Sequence, residues 1–142
     1  MSKLLQNLTA VSRCGVEYRK QYLEAEGIPG KYGRFLLEVC STPGISQEAL
    51  SRQLLLDKSN ITRHAATLEE DGYITRIPCP DDRRILRLYP TEKTQALLPH
   101  LTAAWDSWET VITKTLTPEE CRQAAALLEK MKTAAREWME AR

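Results

Sequence analysis

The stretch SQEALSRQLLLDKSNITRHAATLEEDGYITRIPCPDDRRILRLYPT, residues 46–91, passes from a helical hydrophobic period to a strand period in one uninterrupted run. Ser46 suits the N-cap of a short helix over 46–54, with Ala49, Leu50 and Leu54 facing inward. Asp57 or Ser59 can cap the next helix, which runs to Gly72 and sets Ile61, Ala65 and Leu68 at i, i+4 and i+7. The β-prone residues 73–77 follow, then the polar turn 79–83, then a return strand over 85–89. In that strand Leu86 and Leu88 alternate with Arg87, as a strand with one face on a core should.

Helix, helix, strand, charged turn, strand is the layout of a winged helix-turn-helix, which sets one helix in a DNA major groove and a β-hairpin beside it. Burying Ile61, Ala65 and Leu68 leaves Ser59, Asn60, Thr62, Arg63 and Thr67 on the outward face, with His64 at its edge. Asn60 offers adenine a paired donor and acceptor, and Arg63 matches guanine O6 and N7. Ser59, Thr62 and Thr67 suit phosphate or water-mediated contacts, which position a helix without specifying sequence. His64 either joins them or packs against the preceding helix. Arg76 is a candidate phosphate contact. Arg83 or Arg84 would enter a minor groove, with Asp82 as the carboxylate that shapes the turn and orients Arg84. The competing reading is a merely solvated helix face; the completeness of the module around it argues against that.

Outside the module the chain reads as long amphipathic helices. Residues 3–26 space Leu4, Leu5, Leu8, Val11, Tyr18 and Tyr22 mostly three or four apart, and Gly27 suits the position just past the helix end. A second helix over 31–41 carries Tyr32, Phe35, Leu36 and Val39. Beyond the hairpin, Thr91 opens a helix to about residue 116, with Pro99 expected to kink it and Trp105, Trp108 and Ile112 on its apolar face. Thr117-Pro118-Glu119-Glu120 is a capping box, starting a last helix to near 140 with Ala124, Leu127, Leu128, Met131, Ala135 and Trp138 for burial. The expected architecture is mainly α with a small β-hairpin wing. Residues 31–90 form the winged-helix lobe, and 1–30 with 91–142 a helical dimerisation region, all within one domain of 142 residues. Helices 3–26 and 105–140 exceed what the central module needs, so a homodimer is the economical expectation; folding back into a monomeric bundle is the alternative.

Composition narrows the class further. With 42% hydrophobic and 27% charged residues the chain is that of an ordinary globular protein. No apolar run is long enough for a bilayer, and the N-terminus lacks a secretion signal, so a cytoplasmic protein without a membrane partner is expected. The net charge of +1 does not advertise nucleic acid, and residues 46–93 carry eight Lys/Arg against eight Asp/Glu. Position matters more than the total: Lys58 and Arg63 lie at the start of the recognition helix, Glu69, Glu70 and Asp71 at its far end, and Arg83, Arg84 and Arg87 at the hairpin. Tight, salt-sensitive binding then needs two copies of that edge. Cys14, Cys40, Cys79 and Cys121 are scattered without metal-ligand spacing, and read as small hydrophobes. There is no GxSxG, phosphate-cradling glycine loop or HExxH, so neither an enzyme nor a cofactor or metal is expected.

Over nearly its whole length the chain resembles the MarR family of winged helix-turn-helix transcription regulators. The resemblance rests on Gly27-Ile28 before the second helix, SQEALSRQL, DKSNITRHAATLEEDGYITR, PDDRR and PTEK, and most specifically on Asp82-x-Arg84-x-x-x-Leu88-x-x-Thr91. It implies a homodimeric repressor of a palindromic operator in double-stranded DNA, with Arg84 as the wing arginine. It also implies a cleft for a small effector, flanked here by Tyr18, Arg19, Tyr22, Tyr32 and His100, whose aromatic character fits a phenolic compound. Cysteine-based redox sensing, with Cys14 as sensor, is the alternative for regulation, and a protein-interaction module without DNA binding the alternative for function. Three positions depart from the family pattern. Leu55 stands where such turns often have glycine, which predicts a different turn, because a left-handed leucine costs roughly 1–2 kcal/mol. Pro90 replaces a usual leucine and Thr94 a common glycine after the wing.

Overall fold

A computed structural model describes residues 2–142. Ser2 caps the first helix, α1 (Lys3–Ala25), by accepting the amide of Leu5. Gly27, at φ 76°, turns the chain out of it in the left-handed conformation that glycine adopts without penalty. The expected second helix divides: Gly30–Tyr32 is a 3-10 turn, and α2 covers Gly33–Ser41.

Next come β1 (Ile45–Ser46), α3 (Gln47–Leu54), α4 (Lys58–Glu70), β2 (Ile74–Pro78) and β3 (Leu86–Pro90). The hairpin is thus part of a three-stranded antiparallel sheet in the order β1-β3-β2, with Ile45 opposite Leu88 and Arg76 opposite Leu88 on the other side. β1 went unseen in the sequence because two residues cannot display an alternation. Of the two possible caps for α4 the chain uses Asp57, whose side chain accepts the amide of Asn60.

The turn between α3 and α4 corrects one expectation. Leu55 does adopt the left-handed conformation, at φ 55° and ψ 39°, and is the one described non-glycine residue with positive φ. The turn is kept and the leucine is 57% exposed.

α5 (Glu92–Thr113) continues through Pro99, and α6 (Pro118–Glu140) begins with the expected capping box: Thr117 accepts the amide of Glu120 at 3.1 Å and donates its own to the Glu120 carboxylate at 2.9 Å. The chain divides into two compact units at Trp108/Glu109. The first holds the core, where Leu23, Ile28, Leu36, Val39, Leu50, Ile61, Ala65, Leu68, Ile74, Leu88 and Leu101 are essentially inaccessible. Truncating any one of these leucines to alanine should cost about 2–5 kcal/mol. The second unit contains α6, of which no described residue is buried; Leu127 is 58% and Trp138 64% exposed. Leu4, Leu5, Leu8 and Val11 of α1 are likewise exposed.

Candidate nucleic-acid interface

Burial of Ile61, Ala65 and Leu68 against the core fixes the rotation of α4, and that rotation turns Ser59, Thr62, Arg63 and Thr67 to solvent. Asn60 is half-buried between them. The N-terminal turn is tied into a network. Asp57 Oδ1 accepts the amide of Asn60 at 2.7 Å and the Ser59 hydroxyl at 2.8 Å, and Oδ2 accepts Asn60 Nδ2 at 3.1 Å. Arg63 in turn donates to Asn60 Oδ1. The Asn60 amide and then the Ser59 hydroxyl hold the Asp57 carboxyl below the usual carboxylate range. Thr62 donates to the carbonyl of Lys58 at 2.9 Å and, at the edge of bonding range, accepts from Gln47 at 3.5 Å.

His64 turns away from this face. Its ring meets Tyr32 edge-on at 5.1 Å, on the connection between α1 and α2. Burial first, then the charges of Lys31 and Arg63, push its pKa down and favour the neutral ring.

In the wing, Asp82 grips Arg84 through its backbone amide, Nε and one terminal nitrogen, each at 3.1 Å, leaving the arginine side chain 91% exposed. Arg83 is exposed beside it. A hollow of about 200 Å³ brings Arg84 to the same surface as Lys58 and Thr62 of α4 and Ser46 and Gln47 at the start of α3. Arg76 lies elsewhere in the network of charges: its guanidinium and backbone amide are bound by Glu69, and its side chain is 22% exposed. Arg87 donates to the carbonyl of Gly44 at 3.0 Å, joining the hairpin to β1.

The far end of α4 is held by the residues that open α5. Thr91 donates to the carbonyl of Gly72 at 2.7 Å, Thr94 to that of Tyr73 at 2.6 Å and Lys93 to that of Asp71 at 3.1 Å. The Lys93 ammonium also sits 4.1 Å from the centre of the Tyr73 ring. Thr94, a departure from the family pattern, is fully buried and satisfied by this bond.

The five candidate effector residues do not form one group. Tyr18 stacks with Tyr22 at 6.3 Å and meets Trp108 at a tilt of 38° with ring centres 5.2 Å apart, and Arg19 lies 5.0 Å over Trp105. Burial and then Arg34 lower the pKa of Arg19. Tyr32 faces His64 instead, and His100 faces Glu26 at 3.6 Å. Trp108 packs where Gly15 of α1 carries no side chain, and Trp105 where Gly33 of α2 carries none. A Cβ on Gly15 would lie 2.6 Å from Trp108 Nε1, and one on Gly33 3.3 Å from Trp105. The cysteines are free: Cys14 is exposed, Cys40 and Cys121 half-buried, and Cys79 buried. The amides of Asp81 and Asp82, followed by Arg87, lower the Cys79 thiol pKa, whereas burial raises that of Cys40.

Among the described residues no group of histidine, cysteine and carboxylate side chains could hold a metal, and no helix is long and apolar enough to cross a membrane. Residues 26–85 match the model of the MarR family. The HTH-type transcriptional regulator YybA of Bacillus subtilis (strain 168) is 30% identical over 105 residues, covering 73% of this chain and 70% of its own. Among solved structures, the transcriptional regulator SlyA superposes with a TM-score of 0.87 at 26% identity, covering 98% of both chains. A MarR protein from Peptoclostridium difficile gives 0.88, also at 26%, covering 99% of this chain and 93% of that one.

Proposed function

The chain belongs to the MarR family of transcriptional regulators, and on that footing we propose that it is a cytoplasmic, homodimeric repressor that binds a palindromic operator. It is a DNA-binding regulator and not an enzyme. The observation that carries the proposal is the hollow that brings Arg84 of the wing to the same surface as Lys58 and Thr62 of α4, the helix on which Arg63 is exposed and Asn60 half-buried, so that a base-reading helix would have a groove-entering arginine beside it. Arg83, Ser59 and Thr67 supply backbone contacts around that centre. Arg76 keeps a phosphate role only by giving up or sharing Glu69.

The dimer is supported by the apolar side chains that a single copy leaves in water, on α1 at Leu4, Leu5, Leu8 and Val11 and on α6 at Leu127, Leu128 and Trp138. It also answers the charge problem, since two nearly neutral lobes together present twice the positive edge. The proposed effector is a small aromatic or phenolic compound. Tyr18, Tyr22 and Arg19, now with Trp105 and Trp108, offer it ring faces and a guanidinium. Tyr32 and His100 belong to that site only through rearrangement of their present partners.

Selection of bound duplexes from a random DNA pool tests the reading, with arms containing oxidant and candidate aromatic ligands. An inverted repeat with half-sites about one helical turn apart is expected. Recovery of no sequence preference would sink operator binding, loss of binding with oxidant alone would favour cysteine-based release, and a monomer by light scattering would remove the dimer.

A further inference from the structure

We propose that Asp57 is a positioning residue for base reading, setting the amide of Asn60 and, through it, the reach of Arg63. The inference rests on the reading that Asn60 and Arg63 face bases. Capping a helix takes one side-chain oxygen. Asp57 commits Oδ1 to the backbone amide of Asn60 and Oδ2 to the side-chain amide of the same residue. On the other side of Asn60, Arg63 donates to Oδ1.

The donor and acceptor inventory makes this arrangement selective. A carboxylate only accepts and a guanidinium only donates, so the Asn60 amide has one permitted orientation, nitrogen toward Asp57 and oxygen toward Arg63. One N–H and one oxygen lone pair remain on Asn60, the pair that an adenine edge requires. Arg63 spends one of its five N–H groups on Asn60 and keeps the others for a guanine or a phosphate. The base-facing pair is thereby pre-set before DNA arrives, which lowers the ordering cost of correct contacts.

Asp57 is also an exposed anion on a surface that must approach phosphates. It therefore opposes binding to any DNA while favouring the sequence that Asn60 and Arg63 fit. Those two effects have opposite signs, which a simple helix cap would not produce.

The test compares full-length wild type with Asp57→Asn, Asp57→Ser and Asn60→Ala. Each is titrated against a duplex recovered by selection, the same duplex with one altered base pair at each half-site position in turn, and a random duplex, with melting followed in parallel. Asparagine and serine both cap helices, so both Asp57 variants should melt near wild type. Asparagine turns a donor toward Asn60 Nδ2, and serine leaves that nitrogen without a partner. Both should lose discrimination on the order of tenfold at the position where Asn60→Ala loses it, while binding random duplex more tightly. In the Asn60→Ala background, Asp57→Asn should change discrimination no further. If Asp57→Asn and Asp57→Ser keep wild-type discrimination at a position that Asn60→Ala blurs, the positioning role is wrong and base reading stands. If Asn60→Ala and Arg63→Ala blur no position, base reading itself falls.

Discussion

Arg76 approaches Glu69 twice over, with its guanidinium at 3.0 Å and with its own backbone amide at 3.1 Å. The pair ties the last turn of α4 to β2, and it depresses the Glu69 pKa chiefly through the guanidinium. A carboxylate whose folded pKa is lowered stabilises the fold above its unfolded value, about 4.3, and that contribution is lost as pH falls through the folded value. Melting temperature should therefore fall on acidification below about pH 4.3, and Glu69→Gln should flatten part of that decline. An unchanged acid slope in the variant would show that the pair adds nothing to stability.

Leu55→Gly should stabilise the protein by about 1 kcal/mol, because glycine meets no Cβ penalty at the φ of 55° that the turn requires. Leu55→Ala keeps a Cβ and should not show the gain. Urea denaturation of the three proteins separates backbone relief from loss of the exposed side chain.

Thr94→Val should destabilise by about 1–2 kcal/mol, since it removes a buried donor from the carbonyl of Tyr73 with little change in shape. Thr94→Ser retains the donor and should recover most of the loss. The backbone amide of Thr91 also donates to that carbonyl, at 3.1 Å, which keeps the expected cost at the modest end.

Arg63→Ala and Arg84→Ala should fail in different ways. The first should relax preference at one base pair, costing about 1–3 kcal/mol there. The second should weaken binding to most sites and reduce the slope of log affinity against log salt by about 1. Affinities measured at several salt concentrations distinguish the two; matching wild-type behaviour in both variants would remove these residues from the interface.

Much of this was legible in residues 46–91 because periodicity reports which face is buried. Ile61, Ala65 and Leu68 are all inaccessible, and once they are placed the outward residues follow. The capping box at 117–120 was equally readable, since it is a local pattern of side chain and backbone. What escaped was set by contacts distant in sequence. Nothing near His64 announces Tyr32, and the Glu69–Arg76 pair, only seven residues apart, depends on how the chain turns at Gly72 between helix and strand. Gly15 and Gly33 look like weak points in helices until the indoles they admit are seen. Leu55 is the reverse case: the local rule expects the chain to avoid a left-handed leucine, and the chain adopts one.

α4 is clamped at both ends, by the Asp57 carboxylate at its start and by Thr91, Lys93 and Thr94 beyond its finish. Three of those four anchors belong to the first turn of α5 and its threshold. In mechanical terms the reading head has little compliance of its own. The start of α5 is the mount on which the end of α4 sits, so the one cannot roll and leave the other in place.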